Sequence, residues 1–397
     1  MKLQIHILLL TLLVLGGCRK QDIEPEPVGD PVPHEAGPDK TWQQLLAASP
    51  YARFRDAWQL SGMEEKVKQS GAGFHTVLVP TDKAFDEAGW TTAKIKAATK
   101  EELDQLLCIY VMPARLTPEN IGDIPGNTPG ATLSERSMAG RDNWYSKNYI
   151  DFLFLGKHGD SLLVNGIPQA KWGQYQEATN GLIYPVEHCL VKPQQTMWEY
   201  INAEPRFSLY REALRICDSL YSSVWMDPGV MTMLKSSETI GQFTLYAPNN
   251  NAFIKNGFHN AEDILNYCLR SWPLPPGDYD ENMYYQQPVI AIDSILFAHG
   301  LEVYAALQLT GGARIGPVYF SNDLADNAHQ LSGLMIQKGQ LYSGPPVYIS
   351  LDFISNNGQP GVKRQGVNTP FISLKTKDIR VLNGVIHEVE ELFKLPN

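Results

Sequence analysis

The chain has 397 residues, of which 43% are hydrophobic and 10% aromatic; it is too long for one ordinary domain and apolar enough to bury a sizeable core. Its 43 acidic and 33 basic residues give a formal charge of −10 with Lys and Arg scattered along the chain, which argues against nucleic acid as a partner. Its five cysteines fall into no Cys-x-x-Cys pair and no metal-ligand spacing, so neither a metal nor a cofactor is expected.

The first element is a leader. Lys2 precedes an apolar run from Ile5 to Leu15, and Leu15-Gly16-Gly17-Cys18 closes it. A basic start, a short apolar segment and small residues read as a secretory signal, and the run is well short of the roughly 20 residues needed to span a bilayer. The Leu-Gly-Gly-Cys end resembles the lipobox of bacterial lipoproteins, which implies lipid attachment at Cys18, cleavage just before it and a membrane held through that lipid. Residues 19–40 are expected to be a tether. Pro25, Pro27, Pro31, Pro33 and Pro38 alternate there with Gly29, Gly37 and acids, and such a segment cannot bury enough apolar surface to offset its ordering entropy. Its 22 residues (40 − 18) reach roughly 25–30 Å as a flexible coil. Asp22, Glu24 and Glu26 resemble the acidic stretch that follows the lipidated Cys of some surface-exposed lipoproteins, leaving the outer membrane's surface and periplasmic faces both open.

Thr41 to Leu60 reads as helical, with Leu45, Leu46, Phe54 and Trp58 inward. Thr76-Val77-Leu78-Val79-Pro80 is a β-prone run stopped by a proline, which cannot donate to a continuing ladder. Thr81-Asp82 then offers a side-chain oxygen as a helix cap, ahead of the apolar Ala84 and Phe85. This corner recurs. Thr244-Leu245-Tyr246-Ala247-Pro248, Asn249-Asn250 and Ala252-Phe253 repeat it at an offset of 168 (244 − 76). Thr99 to Glu102 is a capping box opening a helix with Leu103, Leu106, Leu107 and Tyr110. Tyr149 to Leu155 and Leu162 to Val164 read as strands, and Phe152 and Phe154, alternating with Asp151, are expected in the core. Asn180-Gly181-Leu182-Ile183 and Asn383-Gly384-Val385-Ile386 form a second repeated pair, 203 apart (383 − 180), each expected to turn a hairpin through its Asn-Gly. Thr196 to Leu220 is the counterpart of the first helix. Asp293 to Phe297 begins the second copy's equivalent of the helix after Thr99, and Val318 to Phe320 and Val347 to Phe353 are further strands. Between corner and hairpin the second copy is longer, and the surplus is assigned near 271–288 and 310–370. Helices first and strands later make each copy α+β. Cys108, Cys189, Cys217 and Cys268 sit in apolar stretches as buried thiols, with a Cys108–Cys189 bridge as the exception to consider.

Thr76 to Phe85 resembles the first signature of fasciclin domains, and Asn383-Gly384-Val385-Ile386-His387-Glu388-Val389 resembles the second. The resemblance covers about 41–195 and 196–397. It implies two tandem fasciclin-like domains, each a β-wedge or sandwich with helices packed at one side. It departs from the family where a central Tyr-His pair is expected: the first copy has Tyr110-Val111 and the second Phe297-Ala298-His299. The His of the second signature is Tyr184 in copy one and His387 in copy two. That erosion puts integrin-type adhesion through the pair in doubt, and Tyr110 and His387 are expected in the core.

No nucleophile elbow, metalloprotease helix or phosphate loop is present, so the chain is expected not to be an enzyme. Asp278-Tyr279-Asp280-Glu281-Asn282 lacks the Gly and distal Glu of a calcium loop and reads as a solvated acidic loop. The candidate contact residues are aromatic: Trp144, Tyr145 and Tyr149 in copy one, and Trp272, Tyr279, Tyr284 and Tyr285 in copy two. Such rings suit stacking on sugars or protein surfaces. The expected role is adhesion or binding of a glycan or an envelope protein. The alternatives are an accessory subunit of an outer-membrane glycan-uptake complex, or a hydrolase assembled from distant residues.

Overall fold

Thr41, Thr99 and Thr196 each accept the backbone N–H of the residue three positions on, while Gln44, Glu102 and Glu199 reach back to the capping N–H. These capping boxes start three of the helices in the computed structural model, which describes residues 37–122, 126–137, 148–223, 234–235, 242–273, 278–279, 285–286, 290–292, 295–296, 299–301, 307–308, 314–315, 318–338 and 347–393. The leader, Cys18 and most of the tether lie outside those residues. Among the described residues no helix is long and apolar enough to cross a membrane.

In repeat one α1 (Trp42–Ala47), α2 (Ala52–Leu60) and α3 (Met63–Gln69) precede β1 (His75–Pro80). Then come α4 (Asp82–Glu87), α5 (Thr92–Ala97), α6 (Lys100–Leu107), β2 (Val111–Met112) and α7 (Pro118–Gly122). The strands β3 (Thr128–Ser137), β4 (Asn148–His158), β5 (Ser161–Val164), β6 (Ile167–Lys171), β7 (Gln176–Ala178) and β8 (Gly181–Val186) follow. Repeat two begins with α8 (Met197–Ala203), α9 (Ser208–Ser223), β9 (Phe243–Pro248), α10 (Asn250–Ile254) and α11 (Ala261–Cys268). It continues through β10 (Gly300–Leu301), α12 (Ser321–Asp326), α13 (Ala328–Leu331), β11 (Leu334–Lys338), β12 (Val347–Asn356), β13 (Gln359–Arg364), β14 (Ile372–Ser373), β15 (Ile379–Val381) and β16 (Gly384–Val389). The two expected long helices are both broken by proline. Pro50 separates α1 from α2, and Pro205 opens a 3-10 turn between α8 and α9, because a helix cannot run through the residue before a proline.

Each repeat builds the same two four-stranded sheets. Sheet order is β2-β1-β8-β7 and β3-β4-β5-β6 in repeat one, and β10-β9-β16-β15 and β11-β12-β13-β14 in repeat two. The repeated corner holds the centre of the first sheet. Thr81 Oγ1 accepts from Ala84 N at 3.2 Å and Asn249 Oδ1 from Ala252 N at 3.2 Å, with Phe85 and Phe253 fully buried behind them. The corner strand of each repeat pairs in parallel with the last strand of that repeat, Thr76 with Leu182 and Thr244 with Val385. Chain segments more than 100 residues apart are thereby locked side by side.

The hairpins form, but one residue earlier than Asn-Gly chemistry suggests. Ala178 pairs with Gly181 and Val381 with Gly384, so the two-residue loops are Thr179-Asn180 and Leu382-Asn383. The glycines are needed for closeness: a Cβ on Gly181 would collide with the His75 carbonyl and Trp42, and one on Gly384 with the Phe243 carbonyl. The asparagines have a shared task. Asn180 Oδ1 accepts the orphan N–H of Trp42 at 2.9 Å, and Asn383 Oδ1 that of Met197 at 2.8 Å, tying each hairpin to the first helix of its repeat.

Repeat two is longer in the connections on either side of β10. The 271–288 stretch contains a two-stranded ribbon, Asp278–Tyr279 with Tyr285–Gln286. The 310–370 range holds α12, which follows β10 as α7 follows β2, together with α13 and the sheet strands β11 to β13. Cys108 Sγ faces the Gln105 carbonyl at 3.5 Å and Cys189 Sγ the Ala84 carbonyl at 3.3 Å, so the Cys108–Cys189 bridge is not made.

Each repeat has its own apolar core, yet residues 39–397 form one compact unit. A seam joins them. Strand β4 turns Leu153 and Leu155 into the core of repeat one and Phe152 and Phe154 onto repeat two, where they meet Val318, Phe320 and Val385. Phe152 and Phe154 are therefore buried as expected, but in the seam. Phe154 and Phe320 pack at 5.5 Å between ring centroids. Polar contacts flank the apolar patch: Asn322 Nδ2 donates to Asn127 Oδ1 at 2.8 Å, and His158 Nδ1 lies 2.7 Å from Asp326 Oδ2.

Candidate functional site

A large recess lies on repeat one and has a volume of about 930 Å³. It is assembled from separate pieces of chain. Helix α3 carries Lys66 to its rim. Gly89, at φ +77°, ends α4 in the left-handed conformation and lets Trp90 N–H return to the Phe85 carbonyl at 2.8 Å, which fixes the indole. One turn into α5, Lys94 sets its ammonium 4.1 Å over that ring. Helix α6 contributes Glu102 and Leu106, and the end of β3 contributes Glu135, Arg136 and Ser137.

The remaining wall is the segment after β8. It is pinned from beneath by Leu190 N–H donating to Tyr110 Oη at 3.0 Å. Arg136 pins it from the side, donating to the Pro193 carbonyl at 3.0 Å while paired with the buried carboxylate of Asp151 at 2.6 Å. Lys192 Nζ closes the wall onto the Gln105 carbonyl and lies 3.4 Å from Cys108 Sγ. Val191 is left 81% exposed beside it. Arg136 is thus spent on structure, while Lys66, Lys94 and Lys192 have no carboxylate partner among the described residues. A second recess of about 420 Å³ in repeat two is smaller. Its Lys255 is already ion-paired with Glu391, which balances that charge internally.

The family-type His and Tyr positions are internal. His299 is buried and stacked on Phe393 at 4.3 Å; its Nδ1–H donates to the Tyr246 carbonyl at 2.8 Å and its Nε2 accepts from Phe393 N. Burial pushes its pKa down to about 3, so it stays neutral. His387 is also buried, with Nε2–H to the Tyr319 carbonyl and Nδ1 accepting from Asp378 N. Tyr110 lies in the core of repeat one. None of these side chains faces a partner.

The aromatic candidates scatter. Trp144 and Tyr145 lie outside the described residues; Ser137, the last described residue before them, lines the large recess. Tyr149 is a correction: it is fully buried and donates its hydroxyl to the Leu382 carbonyl across the seam at 2.7 Å, so its ring is unavailable to a ligand. Trp272 is half-buried at the end of a 3-10 turn. Tyr279 and Tyr285 stand opposite each other in the ribbon, with side chains outside the described set, and Tyr284 is outside it entirely. Trp90 and the three lysines were not legible as a site; the one local signal was a Gly-Trp step directly after a capped helix.

The fasciclin-domain family model matches residues 49–192. Among solved structures, the chain is similar to a FAS1 domain pair from the insect cell adhesion molecule fasciclin I, with 13% identity over 87% of this chain and 96% of that one and a TM-score of 0.34. No curated protein matches the sequence. Fasciclin domains are associated with adhesion or binding. With a capped, buried corner in each half and its two sheets built twice in the same order, the chain is a tandem α+β protein whose residues 49–192 match the fasciclin-domain model.

Proposed function

We propose that the protein is a non-catalytic binding lipoprotein of the cell envelope. In this reading it is anchored through Cys18 to the outer membrane, surface-exposed, and holds a glycan or an envelope protein. The observation that carries the reading is the recess on the fasciclin domain of repeat one. It is wide enough for a ligand, walled by elements pinned from the core, and lined by an indole and by lysines with no carboxylate partner among the described residues. The leader ending in Leu15-Gly16-Gly17-Cys18 and the proline-rich residues 19–40 support the anchor and the tether. A second reading, an accessory subunit of a glycan-uptake complex, is favoured by the ribbon that repeat two adds at Asp278–Gln286.

One fractionation experiment addresses anchor and partner together. The full chain should sediment with membranes and Cys18→Ala should be released to the soluble fraction; a variant still wholly in the membrane contradicts lipid attachment at that residue. An outer-membrane transport protein recovered in stoichiometric amount with the solubilised wild type would select the second reading.

A further inference from the structure

Charge around the large recess runs against the charge of the whole. The chain carries −10, yet Lys66, Lys94 and Lys192 ring a single depression, each from a different stretch of chain. Like charges gathered on one rim repel unless an anion sits among them, and local fields of this kind draw in anionic ligands. The lysines are held differently from ordinary surface lysines. Lys94 is kept over Trp90, and Lys192 is tethered to the Gln105 carbonyl, so part of their side-chain entropy is already lost.

The same rim carries acceptors. Glu102 uses one carboxylate oxygen on Thr99 N, and Glu135 uses one on Asn148 Nδ2. The second oxygen of each can accept from a ligand. A bare polyanion has no donors to offer these carboxylates and would be repelled by them. A sugar acid brings an anion for the lysines, hydroxyl donors for the carboxylates and a flat C–H face for the indole edge and Val191. We infer that the repeat-one recess binds an acidic polysaccharide, its anionic groups held by Lys66, Lys94 and Lys192 and its ring set against Trp90. This inference rests on the binding-module reading and names the ligand class for the same site.

The test uses the full chain in detergent on biosensor surfaces coated with polygalacturonate, dextran sulfate, neutral dextran or polyglutamate. Binding is expected to polygalacturonate, dextran sulfate or both, separating carboxylate from sulfate as the preferred anion. Binding to neutral dextran or polyglutamate is expected to be at least tenfold weaker. Exposed attractions of this kind are screened by salt, so affinity should fall by about tenfold between 50 and 200 mM salt. The triple variant Lys66→Gln, Lys94→Gln, Lys192→Gln should lose at least tenfold in affinity while keeping its melting temperature, because Lys66 and Lys94 are exposed and Lys192 is only half-buried. Unchanged binding by the triple variant, or equal binding to polyglutamate, overturns the inference. So does capture of neutral glycans or envelope proteins alone, an outcome that leaves the binding-module reading standing.

Discussion

Replacing Asp323 with Asn should raise the melting temperature of the protein at pH 8.5 by about 5–10 °C and leave it nearly unchanged at pH 4. Asp323 is buried beside the seam, on α12. It accepts Phe320 N–H at 2.7 Å, and Asn322 Nδ2, which also reaches across to Asn127, lies 3.3 Å from its other oxygen. No cation faces it. Burial first, and then the nearby carboxylates of Asp378 and Asp326, push its pKa up to about 8 from 3.8, and the backbone N–H groups of Phe320 and Asn127 only partly offset this. A folded-state pKa above the unfolded value means that the folded form binds more protons, so stability is greatest below about pH 4 and is lost as pH rises towards 8. At about 1.4 kcal/mol per pKa unit the loss is on the order of 6 kcal/mol for this group. That converts to several degrees in a unit of this size.

Asn keeps the acceptor for Phe320 and carries no charge, so the alkaline loss should vanish in the variant. The buried neutral His299 acts in the opposite direction: its depressed pKa removes stability as pH falls from about 6.5 towards 3, in wild type and variant alike. Calorimetric scans of both proteins from pH 4 to 9 check the prediction. A constant difference across that range, or a less stable variant at pH 8.5, would show that Asp323 is not a neutral buried acid.

The second large effect is expected at Phe320→Ala. Phe320 is fully buried yet belongs to neither repeat's own core; it fills the patch against Phe154, Phe152 and Val385. Deleting a buried Phe costs about 3–5 kcal/mol. Here the loss falls on the contact between the repeats, because the cores of repeat one and repeat two remain intact. The wild type should therefore melt in one transition and the variant in two, with repeat-one amides protected from hydrogen exchange after repeat-two amides have opened. Polar contacts flank the patch and do not replace its packing: Asn127–Asn322, Tyr149 to the Leu382 carbonyl and to the buried Arg380, and a surface His158–Asp326 pair of small worth. A single transition shifted by less than 1 kcal/mol would place the coupling elsewhere.

Much of the fold was legible because the same local chemistry is written twice. The β-run ending in Pro80 or Pro248, the capping oxygen of Thr81 or Asn249, and the Ala-Phe pair that follows each state a strand-to-helix corner without help from the rest of the chain. The hairpins were legible too, but the role of Gly181 and Gly384 was not. It depends on the approach of Trp42 and of the Phe243 carbonyl, which are distant in sequence. Alternation along β4 announced Phe152 and Phe154 as buried. It could not say against what, since a strand covered on both faces reads the same whether the second cover is its own domain or its neighbour. Tyr149 failed as a contact residue for that reason. The lysine-lined recess was invisible because α3, α5 and the segment after β8 meet there only in three dimensions.

The central claim is that this tandem α+β protein binds without turnover. Its most direct test is to incubate the full chain with immobilised acidic polysaccharide and follow retained protein and released sugar in the same experiment. The account predicts saturable, salt-sensitive retention of the protein with no soluble oligosaccharide above the protein-free control. Release of new reducing ends that grows with time and protein concentration would contradict it.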